Sequence, residues 1–156
     1  MNHNKEIITR FYAAFQQLDY KNMQDCYNIN AIFNDPVFGL LTDGKVKYMW
    51  QMLCTNAKDF NLQFSDIEIL DDEYSTCLWT AQYIFSKTGR PVTNKIKAHI
   101  RIVDEKIAEH TDQFSFYTWS QQALGLPGYL FGWSNFLQKK VGKEALKNLE
   151  KFMEKQ

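Results

Sequence analysis

Two consecutive runs of period-two alternation limit this chain more than any other feature. Cys77, Trp79, Ala81, Tyr83 and Phe85 share one side of the first run, and Ile96, Ala98, Ile100 and Ile102 share one side of the second. Successive side chains of a strand point to opposite faces, so each run predicts a strand with one apolar face. The Thr88-Gly89-Arg90-Pro91 turn between them predicts an antiparallel return. Upstream, Leu62 and Phe64 alternate in one phase and Ile67 and Ile69 in the other. That change of phase predicts one extra residue, a bulge, near Ser65-Asp66. Downstream, Asp104-Glu105 reads as a tight turn and Ile107 to Tyr117 as the last long strand. The four strands make an antiparallel meander.

Before the meander the period is helical. Ile7, Phe11, Ala14, Phe15 and Leu18 predict a helix over Lys5 to Gln17 with Asn4 as its N-cap. Asp19 is placed to cap a second, short helix through Met23, Cys26 and Tyr27, which Asn28-Ile29-Asn30 ends. Ala31, Ile32 and Phe33 lead into a strand that stops at Asn34-Asp35-Pro36, where proline removes a ladder donor and biases Asp35 towards extended geometry. Thr42 or Asp43 is expected to cap a third helix with Val46, Met49, Trp50, Leu53 and Ala57 on its inner stripe. Helices followed by a meander predict an α+β fold and not a βαβ repeat.

Residues 118–156 read as a helical extension. Trp119, Ala123, Leu124 and Leu126 run into Pro127-Gly128, Tyr129 to Leu137 is strongly apolar, and Val141, Ala145, Leu149, Phe152 and Met153 form an amphipathic stripe. Leu126, Leu130, Phe131, Trp133, Leu137, Leu149 and Phe152 are expected to pack on the rest of the fold, because a soluble monomer does not tolerate so much exposed apolar surface. Pro and Gly interrupt the 123–137 stretch, which falls short of the ~20 residues of a membrane span, so none is expected. A chain of 156 residues without repeat or linker fits one domain. Eighteen basic residues cancel eighteen acidic ones, so the charge excess that nucleic acids or anionic membranes reward is missing. Three cysteines in unrelated contexts, Cys26, Cys54 and Cys77, and a start without an apolar signal segment predict a reduced, cytoplasmic protein.

No G-x-G-x-x-G, P-loop, G-x-S-x-G or C-x-x-C pattern occurs, which leaves nucleotide, acyl-serine and zinc-ribbon chemistry without support. Isolated titratable groups inside apolar segments remain, and these must be hydrogen-bonded, paired or shifted in pKa. Asp35, between Ala31-Ile32-Phe33-Asn34 and Pro36-Val37-Phe38, either rises into the range of a general base or organises the turn before proline. His110 and Asp112 are two apart on the last strand, on a face with Ala108, Phe114 and Phe116, and form either a polar pair able to move protons near neutral pH or a structural pair at a sheet edge that bonds the tail. His99 shares a face with Lys97 and Arg101, opposite the isoleucines. It is solvated unless the isoleucines meet a second sheet or subunit, in which case it looks into a pocket. His99, His110 and Asp112 lack short metal-ligand spacing, so no metal is expected. Cys54 and Cys77 have no sequence-local activator and read as core.

The helix hairpin, F-N-D-P-V-F, the third helix and a meander ending in K-I-A-E-H-T-D-Q-F are similar over residues 1–117 to the nuclear transport factor 2-like superfamily, in its SnoaL-like and ketosteroid-isomerase-like branch. Asn34-Asp35-Pro36-Val37 resembles the E-D-P-V-G segment that carries the isomerase's catalytic base, and Glu109-His110-x-Asp112 resembles the E-H-x-D segment of polyketide cyclases, whose aspartate is the acid/base. The resemblance implies a cone-shaped antiparallel sheet wrapped around the N-terminal helices, residues 1–117, with the C-terminal helical extension, residues 118–156, packed on the same domain. It implies an apolar pocket with Asp35, His110, Asp112 and His99 as catalytic candidates and Phe11, Tyr12, Phe15, Phe33, Phe38, Trp50, Trp79 and Phe114 as ligand-binding candidates. The isomerase's donor tyrosine falls at Phe11, with Tyr12 beside it, and its protonated aspartate donor at His99, so neither is retained as such. The implied function is cofactor-independent acid–base proton transfer on a small hydrophobic carbonyl compound. The alternatives are a non-catalytic binding protein for an apolar metabolite or lipid, or a dimerising interaction module. A homodimer through the outer face of the sheet is expected by the same analogy, with Ile96–Ile102 as the candidate surface.

Overall fold

The computed structural model describes residues 2–156. Helix α1 (His3–Gln16) starts earlier than its apolar spacing predicts, because Asn2 and not Asn4 is the cap. The Asn2 side chain accepts from the Asn4 N–H at 2.8 Å, while the Asn4 amide donates to the Asp72 carbonyl. Its buried face is Ile8, Phe11, Tyr12 and Phe15. Asp19 caps α2 (Tyr20–Asp25) through the Asn22 N–H, as expected. Helix α3 (Lys45–Asn56) is preceded by Gly44 at φ 79, with no side-chain cap from Thr42 or Asp43. Val46, Met49 and Trp50 face inward with Met52 and Cys54, whereas Leu53 stays exposed at the rim of the cavity described below.

Strands β3 (Asn61–Ile69), β4 (Tyr74–Phe85), β5 (Arg90–Val103) and β6 (Lys106–Gln113) form the predicted antiparallel meander. The bulge lies between Ser65 and Glu68, with Asp66 at φ 53, and Asp104 and Glu105 turn β5 into β6 with φ of 51° and 64°. Two strands extend the sheet on the other side. β1 (Tyr27–Asp35) runs parallel to β6, and the short β2 (Gly39–Leu41) pairs antiparallel with β1, giving the order β2-β1-β6-β5-β4-β3. The result is an α+β cone: a six-stranded, mostly antiparallel sheet around the N-terminal helices, followed by C-terminal helices.

The last strand ends at Gln113 and not at Tyr117, because Ser115 accepts from the Thr118 N–H and starts α4 (Phe116–Leu124). The β5–β6 register also slips between Arg101 and Ile102. The buried series of β6 therefore runs Ile107, His110 and Asp112, and Ala108 drops out of it. Ile96, Ala98, Ile100 and Ile102 point inward and share one core with Ile8, Phe11 and Phe15. They are not a surface for a second copy. Lys95, Lys97 and His99 occupy the exposed side of the same strand.

In α6 (Asn135–Glu154), Leu149 is fully buried, and Ala145, Leu146, Phe152 and Met153 pack against the main core. Helix α5 (Leu126–Phe131) lies on α4 by close backbone approach. A β-carbon at Gly128 would stand 2.0 Å from the Ser120 carbonyl oxygen, and one at Gly132 would stand 2.2 Å from Ser120 Oγ, so no side chain fits at either position. With glycines turned inward, Leu126, Leu130, Phe131 and Trp133 remain exposed, contrary to the expectation that they pack on the cone. Among the described residues no helix is long and apolar enough to cross a membrane.

Candidate active site

The parallel pairing of β1 with β6 sets Phe33 beside His110 and Asn34 beside Thr111. Asp35 and Asp112 each follow this last registered pair by one residue. Both aspartates line one cavity of about 650 Å³, together with Phe15, Phe33, Phe38, Trp50, Trp79 and Phe114. Phe11 and Tyr12 do not reach it and are fully buried in the core behind. Val141, Glu144, Ala145 and Phe152 of α6 and Trp119 of α4 complete the wall, so the C-terminal extension is part of the enclosure.

The Asp35 carboxyl is held by its own turn: Oδ1 accepts from the Val37 N–H at 2.9 Å and the Phe38 N–H at 2.6 Å. Oδ2 has no hydrogen-bond partner among the described residues. Burial pushes this carboxyl up to about 7, partly opposed by the backbone bonds from Phe38 and Val37 and by His110, and reinforced by the negative charge of Asp112. An aspartate with that value exchanges protons near neutral pH, as a general base must.

His110 lies beneath this surface, fully buried, and does not line the cavity. Its Nδ1 is 2.6 Å from Tyr27 Oη and its Nε2 is 2.8 Å from Asp112 Oδ1. The Trp50 indole N–H donates to Tyr27 Oη at 2.9 Å, which leaves the Tyr27 hydroxyl hydrogen for His110 Nδ1. His110 then carries its proton on Nε2 and donates to Asp112 Oδ1, which also accepts from the Trp79 indole at 3.3 Å. A buried chain of hydrogen bonds, Trp50 to Tyr27 to His110 to Asp112, thus ends on a carboxylate at the cavity wall. Such a chain holds Asp112 in one orientation.

Tyr83 faces the same cavity. Its Oη accepts from the Trp119 indole at 2.9 Å, leaving its own hydrogen available to a ligand, and burial followed by the nearby Asp35 charge raises its pKa. His99 is elsewhere: it lies exposed on the outer face of the sheet, 3.3 Å from Gln113 Oε1, because the isoleucines of β5 take the inner side. Burial pushes the Cys54 and Cys77 thiols up to about 12, so neither provides a thiolate near neutral pH. Among the described residues no three His, Cys, Asp or Glu side chains gather into a metal-holding set.

Sequence reasoning missed Tyr27 and Tyr83 as site residues. Tyr27 reads locally as the end of a helix, and only the β1–β6 pairing brings it to His110. Tyr83 is legible as a member of an inward face, but its partner Trp119 is on a helix that closes over the sheet later in the chain.

Comparison with known proteins gives one family match and many structural neighbours. The SnoaL-like domain matches residues 8–110. A protein with a ketosteroid isomerase-like fold from Catenulispora acidiphila, solved with trimethylamine, superposes at a TM-score of 0.66 and 15% identity over 79% of this chain and 95% of its own. A candidate isomerase from Bacillus subtilis gives 0.66 and 16% over 80% and 97%, and IdmH, a candidate polyketide cyclase from Streptomyces antibioticus, gives 0.61 and 19% over 78% and 98%. At these identities the neighbours speak for the fold. No curated protein matches the chain.

Proposed function

The chain belongs to the SnoaL-like domain family, and on that premise we propose that it is a cofactor-independent isomerase or cyclase that moves a proton on a small hydrophobic carbonyl compound. One observation carries this reading: Asp35, raised to about 7, and Asp112 line the same aromatic cavity. In the proposed reaction the Asp35 carboxylate removes a proton from the carbon next to the carbonyl. The carbonyl oxygen takes the negative charge and receives a hydrogen bond from Tyr83. The protonated Asp35 then returns the proton at the same or a conjugated carbon, so nothing is consumed. Tyr83 would supply the electrostatic stabilisation that the family's donors provide elsewhere, and removal of one such donor typically costs a factor of ~10²–10³ in rate. Asp112, held in place by His110 behind it, would orient the substrate.

The test works with a set of model compounds in place of the native substrate. A panel of apolar ketones in D₂O is followed by NMR for exchange of the protons next to the carbonyl. Enzyme-dependent exchange that disappears in Asp35→Asn supports the reading, and exchange at the wild-type rate in that variant removes Asp35 as base. A second reading rests on the two backbone bonds to Asp35 Oδ1, which already give it a turn-building role. The protein would then bind an apolar metabolite or lipid without turning it over, and ligand binding without exchange would favour this. A homodimer and a cytoplasmic location belong to the same proposal, with the exposed outer face of the sheet, carrying Tyr74, Leu78, Lys97 and His99, in place of the isoleucine face.

A further inference from the structure

We propose that α5 and the start of α6 form a ridge that docks on the surface of an anionic lipid bilayer. Leu126, Tyr129, Leu130, Phe131, Trp133 and Phe136 are each more than half exposed within eleven consecutive residues. Monomeric soluble proteins seldom gather that much apolar surface without a partner for it. This ridge is not a loose tail. Gly128 and Gly132 are pressed on Ser120 so closely that α5 turns its smallest residues to the protein and its largest to solvent, the reverse of an ordinary amphipathic helix. The Trp133 indole N–H donates to the Leu130 carbonyl at 2.9 Å, and Ser134 caps α6 through the Leu137 N–H.

Charge selects the occupant. No acidic residue occurs between Asp112 and Glu144, whereas Lys139, Lys140 and Lys143 follow the ridge directly. Phe136, Lys140, Lys143 and Lys147 recur at helical spacing on α6, so aromatic and basic groups share one stripe of that helix. Glu144 pairs with Lys87, and among the described residues none of Lys139, Lys140 and Lys143 makes an ion pair. The zero net charge of the whole chain conceals this local excess. A two-fold contact between copies through the ridge would set these lysines against their counterparts, since an isologous interface brings the same patch of each copy together. A bilayer instead receives Trp and Tyr at its interface and lysines at its anionic headgroups. Helices α4 and α6, which flank the ridge, also wall the cavity through Leu124 and Val141, so a docked chain holds that wall beside lipid.

Flotation of the full chain with vesicles of phosphatidylcholine alone, and with added phosphatidylglycerol, tests the proposal. The chain should float with the phosphatidylglycerol vesicles and not with phosphatidylcholine alone. Its tryptophan emission should shift to the blue on binding, because Trp133 is exposed while Trp50, Trp79 and Trp119 are buried. Trp133→Ser with Phe136→Ser should abolish flotation. Lys139→Gln with Lys140→Gln should weaken partitioning about thirtyfold at low salt, roughly fivefold for each lysine. Both variants change side chains outside the buried core, and an unchanged melting temperature shows that they fold. Absence of flotation with either vesicle, equal flotation with both, or wild-type flotation of the Trp133/Phe136 variant would each overturn the proposal. A ridge variant that turns a dimer into a monomer without altering flotation would assign the surface to a second copy instead.

Discussion

Asp35 and Asp112 line one cavity, each one residue past the Asn34–Thr111 pair that ends the parallel β1–β6 ladder, and the negative charge of Asp112 adds to burial in raising the Asp35 carboxyl to about 7. Burial, reinforced by Asp112, reverses the usual pH dependence of a native aspartate. Between about pH 4 and 7 the folded chain keeps a proton on Asp35 that the unfolded chain, with an ordinary value of ~3.9, has lost. The stabilisation this group contributes is therefore complete below about pH 4 and is lost as pH rises through 7.

Asp35→Asn should remove that dependence, because the amide oxygen can still accept from the Val37 and Phe38 N–H groups. Urea unfolding should find the variant more stable than wild type at pH 8, by roughly 2–4 kcal/mol, and nearly equal to it at pH 4. A variant that is less stable at pH 8 would mean that the charge of Asp35 helps to hold the fold.

Asp112→Asn should lower the Asp35 carboxyl without restoring the ordinary value, since burial, the larger cause, remains. Carbon-13 NMR of the side-chain carboxyls reads this directly. If exchange activity is found, the rising limb of its pH profile should move to lower pH by the same amount. No movement in either would show that the two carboxylates do not sense each other.

Tyr27→Phe and Tyr12→Phe delete the same atom from two fully buried side chains and should give opposite results. Tyr27 Oη joins Trp50 to His110, so its loss strands a buried donor and a buried acceptor, at about 2–4 kcal/mol. Tyr12 Oη has no partner among the described residues, and its removal should be neutral or stabilising by up to about 1 kcal/mol. Paired thermal and denaturant melts decide the comparison.

Leu149→Ala should cost about 2–5 kcal/mol, because this side chain of α6 is fully buried against the cone. Deleting residues 118–156 uncovers the cavity wall and should leave an aggregating protein by light scattering. A truncated chain that stays soluble and equally heat-stable would show that the extension is dispensable.

Much of this architecture is local and therefore legible in the sequence. Alternation depends on neighbours two residues apart, so the inward face of Trp79 and Ala81, the bulge at Asp66 and the Asp104-Glu105 turn follow from short stretches of chain. The Asp19 cap and the proline that ends β1 are local in the same sense. Motif spacing likewise singles out Asp35, His110 and Asp112. Alternation puts His99 opposite the isoleucines, but it does not say which of the two sides of β5 the rest of the molecule covers.

What joins these pieces required the tertiary structure, because pairing between distant segments depends on which surfaces meet and not on any local period. Tyr27 and His110 are 83 residues apart in sequence, and their contact exists because β1 docks parallel to β6. The same docking brings Asp35 and Asp112 to one cavity, where the Asp112 charge adds to burial in raising the Asp35 carboxyl. The ridge at Leu126–Phe136 is the converse case. Its composition promises burial, but the close seat of Gly128 and Gly132 on Ser120 turns the large side chains outward, and glycine shows which way it faces only once its neighbour is in place.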